Sequence, residues 1–341
     1  MAGGAATLAF ATILDRPTGL TGSKTGAYTA TMVSLAGTRS ATVMGSAVLL
    51  LTGGLFARVA AQSVEREMVV SVFDENGRPV TGLTASDFLV REDGAAREVL
   101  RVGSASRGRQ IALLVDTSEA AAPVVSDLRR GVETFVDAMI AGNEISLIAV
   151  SGPPRILTAS TSSATRLKDG IGDIFAFPGS ASYLLDAARD TARGFSRQNA
   201  AQPIIIAMTT LGVDYSNRGA QSTIEELVKA GAAFYSIVFT VGRSPVSGGI
   251  ANTDREIAQR RLERDRFLSA GPTETGGRRR ELQSGSAAER VMSDLATDLR
   301  NQYMVVYSRP NTLIPPERIE VELTGDNDSL DARGTPVLTD R

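Results

Sequence analysis

The sequence predicts an α/β chain: a doubly wound, mostly parallel sheet flanked by a small β layer drawn from the N- and C-terminal segments. Two observations carry this. Apolar runs such as 111–115 and 203–208 read as strands buried on both faces, and stretches of helical period separate them. Short alternating strands, bounded by Asp-Glu-Asn-Gly and Glu-Asp-Gly turns, precede that pattern, and strand-like stretches return after it.

Residues 1–61 read as an address rather than a domain. The run 41–56 carries no charge and follows Lys24 and Arg39. It falls short of the about 20 apolar residues that a bilayer crossing needs. Arg58, Ala60 and Ala61 then suit a secretory signal cleaved after Ala61. A signal anchor that is never cleaved is the other reading, and only then does the chain hold a membrane. Met32 is the expected start of translation. Cleavage leaves 32 basic and 37 acidic residues, a net charge of −5, on an exported periplasmic or extracellular chain.

Residues 65–103 form the small β module. It has a strand at 68–73, a turn at 74–77, a capped helical turn at 83–87, a strand at 88–91, a turn at 92–94 and a strand at 97–102. So few residues bury little surface alone. They are expected to pair with strands 303–307 and 318–323 of a C-terminal segment, 303–325, which leaves 326–341 as a tail. Residues 108–302 form the α/β domain. Strand 111–115 leads to a helix from Pro123 to about Ile140, with Val125, Leu128, Val132, Phe135, Val136 and Met139 along one stripe. Strand 145–150, helix 182–193, strand 203–208, helix 223–230 and strand 233–239 follow. A helix at 287–301 closes the domain, with Ser286 and Glu289 spaced as a capping box. Ligands of such sheets bind outside the carboxyl ends of the strands.

Composition narrows the chemistry. The 341 residues include no Cys, His or Trp. Disulfides, thiol nucleophiles, His-based triads and imidazole metal sites are therefore excluded, and any metal must take oxygen ligands. With 36 Lys+Arg against 38 Asp+Glu, the charge gives no case for nucleic acid. No phosphate-binding glycine motif follows a strand. A non-enzymatic role is expected.

Several fragments occur in a telling order. They are 72–80 (VFDENGRPV), Ser86-Asp87-Phe88, Arg91-Glu92-Asp93-Gly94, 113–118 (LLVDTS), Leu185-Asp186-Ala187-Ala188, Gly212-Val213-Asp214, Glu274-Thr275-Gly276-Gly277 and 299–303 (LRNQY). In this order the chain resembles a von Willebrand factor type A domain, and more narrowly a bacterial von Willebrand factor A-related group with a short β prelude. The resemblance implies a metal-ion-dependent adhesion site: Asp-x-Ser-x-Ser in a first loop, Thr in a second, Asp in a third. Asp116 and Ser118 match the first two positions, and Ser182 stands in for the Thr. Ala120 and Leu211 replace a hydroxyl and a carboxylate.

Such a site is degenerate, since charge and ligand count set divalent affinity. Asp116 then reads as a cap for its own loop's amides, and Leu211 as packing. No cofactor is expected, with weak Mg²⁺ binding at Asp116, Ser118 and Ser182 as the alternative and Asp214 or Glu119 as rescue ligands. The resemblance implies an adhesion-type module for an unidentified protein ligand. Its surface would comprise loops 116–120, 178–182 and 211–216, with Thr117, Glu119 and Asp214 facing the ligand. A receiver-like phosphoacceptor role for Asp116 is a second alternative. Elsewhere, 254–281 holds eight Arg and six acidic residues with an irregular stripe of Ile257, Leu262 and Phe267. Its charges, including Arg278-Arg279-Arg280, read as a solvated face. The pairs Asp74-Glu75 and Glu92-Asp93 read as solvated turns, and 241–252 as a mobile loop.

Overall fold

Met68 to Phe73 form the buried half of strand β1 (Ser63–Phe73) in a computed structural model that describes residues 63–105, 108–240, 254–311, 314, 316, 318–325 and 330–337. The signal segment within 1–61 and the loop 241–252 lie outside the described residues. After β1 the Asp74 carboxylate accepts from the Asn76 and Arg78 amides at 2.9 and 2.8 Å, which sets the turn. Asp87 likewise accepts from the amide and hydroxyl of Thr84. Strands β2 (Phe88–Glu92), β3 (Ala95–Arg97) and β4 (Val99–Ser104) complete the first module.

The α/β domain opens with β5 (Gln110–Val115). Pro123 sits in a 3-10 turn, Glu119–Val124, rather than in the α-helix itself; α1 (Val125–Met139) starts behind it. Then come β6 (Glu144–Ala149), β7 (Arg155–Thr161), α2 (Ala164–Gly172), α3 (Leu184–Gln198), β8 (Ile204–Thr210), α4 (Ala220–Ala230) and β9 (Ala233–Phe239). The domain ends with α5 (Asp254–Thr275), β10 (Arg279–Leu282) and α6 (Ala288–Arg300). The strand order is β10-β9-β8-β5-β6-β7, parallel throughout except for β7 against β6. The order reverses between β5 and β8, so the crevice beyond their carboxyl ends is the topological switch point. Helices α1, α2 and α6 cover one face and α3, α4 and α5 the other, each over its own apolar core. Gly131 lets α1 approach α6: a Cβ there would come within 3.3 Å of Ala288, Met292 and Met208.

The capping box expected at the start of α6 does not form. Ser286 pairs with Ser284, and Glu289 instead accepts from Arg130 of α1. Two edge strands and a short helix had no readable pattern in the sequence. Strand β7 alternates weakly and buries one residue, α2 buries three, and β10 is mostly arginine and glutamate.

The chain's C-terminal strands are β11 (Tyr303–Pro310), β12 (Ile319–Leu323) and β13 (Asp331–Val337). As expected, both ends pair, but into two small sheets, β13-β1-β11-β4 and β12-β2-β3. Residues 331–337, read as tail, form a strand antiparallel to β1. Met68, Val70, Val72, Phe88, Val90, Tyr303, Val305 and Tyr307 fill the space between the sheets. Glu92 corrects another expectation. It is buried at the end of β2, accepting from Arg97 Nε, Arg309 Nε and Tyr307 Oη at 2.9, 3.0 and 3.0 Å, and only Asp93 turns outward.

Polar side chains join the β layer to the α/β domain. Gln302 Nε2 donates to Ser71 Oγ on β1 at 2.8 Å and to Tyr235 Oη on β9 at 3.3 Å, while its Oε1 accepts from Arg109. Burial pushes the Tyr235 hydroxyl up to about 12 and keeps it a donor or acceptor, never a charge. Two of the three consecutive arginines also engage buried groups, whereas Arg279 pairs with the exposed Glu281. Arg278 stacks 4.0 Å from the Phe73 ring centroid, and Arg278 and Arg280 flank the buried Asp298 at 3.7 and 3.2 Å.

Candidate functional site

Three loops meet beyond the carboxyl ends of β5 and β8. The first follows β5. Asp116 is 0% exposed, and its Oδ1 accepts from the Ser118 amide at 2.9 Å and the Ser118 hydroxyl at 2.6 Å. Its Oδ2 reaches across to the end of β8, accepting from Thr209 Oγ1 at 3.1 Å, the Thr210 amide at 3.1 Å and Thr210 Oγ1 at 2.8 Å. Five donors on one carboxylate cap the loop and tie the two central strands together.

The second loop is held against the first. Thr117 donates its hydroxyl to Ser151 Oγ at 2.7 Å, and its carbonyl accepts from the Phe177 amide at 2.9 Å. Glu119 accepts from the Gly179 amide at 3.2 Å, and its own amide donates to the Ser180 carbonyl. Ser182, buried, bridges Ser151 on one side and Asp214 on the other.

The third loop turns its acid inward. Asp214 Oδ2 accepts from the Leu184 amide at 2.7 Å, its Oδ1 from the Ser216 amide at 2.9 Å, and the Ser182 hydroxyl lies 3.5 Å away. Burial pushes this carboxyl above its ordinary value, against the pull of the Ser216 and Leu184 donors and of the Arg264 charge. Leu211 is half-buried against the apolar core beneath α3 and α4, as packing requires. Ala120 lies against this loop: a Cβ on Gly212 would come within 3.1 Å of its methyl group.

The structure thus brings Asp116, Ser118, Ser182 and Asp214 together, and separates Glu119 from them. Glu119 is exposed and bonded to the second loop, so it is no rescue ligand. Of the three residues expected to face a ligand, only Glu119 is exposed. Thr117 is 0% and Asp214 4% exposed, because each is spent on hydrogen bonds between loops. The donor set does not fit a divalent cation. Ala120 and Leu211 stand where the resemblance implies ligands, both Asp116 oxygens are engaged, and the guanidinium of Arg264 enters from α5. Nor does Asp116 offer a phosphoryl donor a line of approach from solvent.

Sequence reasoning missed two features here. One is the buried Arg264. The other is an aromatic pair on the loop between α2 and α3, where Phe175 and Phe177 are 53% and 42% exposed. The Phe-Ala-Phe-Pro-Gly run was the available signal: two large apolar residues beside turn formers cannot both be core.

No protein-family model and no curated protein matches the chain. Among solved structures it is similar to BatB from Bacteroides thetaiotaomicron, at 15% identity and a TM-score of 0.41, over 56% of this chain and 98% of that one. It is also similar to an aerotolerance-related membrane protein from Bacteroides fragilis, at 17% identity and a TM-score of 0.42, over 55% of this chain and 98% of that one. A von Willebrand factor type A protein from Catenulispora acidiphila matches at 12% identity and a TM-score of 0.44, over 70% of this chain and 51% of that one. The doubly wound α/β class of the chain rests on its own strand order and register.

Proposed function

We propose that this chain is an exported, non-enzymatic module that binds a protein ligand at the carboxyl edge of its parallel sheet, without a metal. The aromatic pair at that edge carries the reading. Phe177 is pinned by its amide to Thr117, and its carbonyl accepts from the amide and hydroxyl of Ser180 at 3.2 and 2.6 Å. Exposed aromatics held in a fixed loop lose little freedom on binding and make good interface anchors. Arg129 lies 4.5 Å from the Phe175 ring centroid and Arg155 lies 5.8 Å from that of Phe177. With Glu119 beside them, the patch has an apolar centre and a charged rim, as protein interfaces do.

Metal independence is supported by Ala120, Leu211 and the five donors on Asp116. The non-enzymatic reading is supported by the lack of His and Cys, and export by the uncharged run at 41–56. Among the described residues, no helix is long and apolar enough to cross a membrane.

A pull-down from an envelope fraction, with and without chelator, tests this reading with the wild type and a Phe175→Ser/Phe177→Ser double variant. The expected result is a partner retained in chelator and lost, by about tenfold or more, with the double variant. Loss of the partner on chelation favours the weak Mg²⁺ site instead. Retention by the double variant places the binding surface elsewhere.

A further inference from the structure

The buried stripe of α5 runs through positions 264, 267, 268, 271 and 275, the spacing of a helix face on a core. Phe267, Leu268, Gly271 and Thr275 suit that face, but its first member is an arginine. Arg264 is 1% exposed. A guanidinium removed from water is strongly unfavourable unless opposite charge and acceptors surround it.

Its surroundings supply both. Arg264 Nη2 donates to Thr209 Oγ1 at 2.8 Å, and Thr209 Oγ1 donates onward to Asp116 Oδ2 at 3.1 Å. A guanidinium–hydroxyl–carboxylate relay results. Nη1 donates to the carbonyl of Gly212 in the third loop. Burial pulls the Arg264 pKa down, while the fields of Asp116 and then Asp214 hold it up. The same two carboxylates sit where the three loops meet, and neither is exposed.

We propose that Arg264 is the built-in cation of this site: its guanidinium supplies, from inside the fold, the positive charge that allows Asp116 and Asp214 to be buried together beneath the loops. The charge arrives on a helix that also packs against β9 and α4, so the loop cluster is assembled as the domain folds and needs no soluble ion. This rests on the metal-independent reading of the same loops, and it adds the residue that makes that reading physically possible.

The test compares urea denaturation of the full chain with Arg264→Lys, Arg264→Gln, Arg264→Met and Asp116→Asn, and with the Arg264→Met/Asp116→Asn double variant. Lysine keeps the charge and loses the fork, whereas glutamine keeps polarity and loses the charge. Arg264→Met is expected to lower the folding equilibrium constant by roughly 100-fold. Arg264→Lys should retain more stability than Arg264→Gln. The double variant should lose less than the product of the two single losses, by roughly tenfold. If Arg264→Met alone does not fold, recovery of a folded double variant supports the same conclusion. Strictly multiplicative losses, a double variant that stays unfolded with its parent, or glutamine serving as well as lysine overturns the proposal. Thermal melts of the wild type in Mg²⁺ and in chelator separate the two claims. A melting temperature unmoved by either, together with multiplicative losses, removes Arg264's role and leaves metal independence standing. A melting temperature raised by Mg²⁺ overturns metal independence itself, and the built-in cation with it.

Discussion

Replacing Asp116 with alanine is expected to remove about 3–5 kcal/mol of folding stability, equally in Mg²⁺ and in chelator. The carboxylate serves five donors, two of them backbone amides, at a position that is 0% exposed. Alanine leaves the Ser118 and Thr210 amides without their acceptor in a dry site, and it strips Arg264 of the carboxylate end of its relay. The loss should appear in urea titrations as a lower midpoint with an unchanged slope. A metal-ligating Asp116 behaves differently: its removal costs stability only while the ion is present. A variant as stable as the wild type in chelator would therefore show that Asp116 is not a structural cap.

Gly277→Ala is expected to cost about 3 kcal/mol or more, far from any exposed loop. Gly276, at φ 77°, ends α5 in the left-handed region, and Gly277 then runs close alongside β9. A Cβ on Gly277 would land on the carbonyl of Phe234. That carbonyl belongs to a strand held between β8 and β10, so neither side can give way. Gly194→Ala is the control, since a Cβ there has nothing within 4 Å and sits inside α3. It should be neutral or stabilising by up to about 1 kcal/mol. Thermal melts of the two variants, compared side by side, decide the point.

These two positions also mark what was legible in the sequence. Strands β5, β8 and β9 were readable because burial on both faces leaves uninterrupted apolar runs, and α1 because six apolar residues share one stripe. Asp116 at the end of β5 was readable as a loop cap, and Leu211 as packing. Strands β7, β10 and β13 were not, because edge strands bury one face at most and their polar residues resemble loop. The fate of charged residues was the hardest to read. Glu92, Arg278 and Arg264 all occur in charge-rich stretches, and their inward placement depends in part on distant partners: Tyr307 and Arg309 for Glu92, the Gly77 carbonyl for Arg278, and Thr209 and Gly212 for Arg264. Arg264 had one local signal. Stepping back three and four residues from Phe267 and Leu268 reaches it, whereas the stripe drawn through Leu262 selects a residue that is 65% exposed. The inward turn of Thr117 and Asp214 had no local signal, because each answers a donor or acceptor on another loop.

A crystal structure of the full chain from crystals soaked in Mn²⁺, read by anomalous scattering, decides whether Arg264 or a metal ion neutralises the loop cluster. The expected map shows the Arg264 guanidinium hydrogen-bonded to Thr209 and Gly212, with no anomalous peak within coordination distance of Asp116. A Mn²⁺ peak bound to the Asp116 carboxylate and the Ser118 hydroxyl, with Arg264 displaced from the loops, would contradict it.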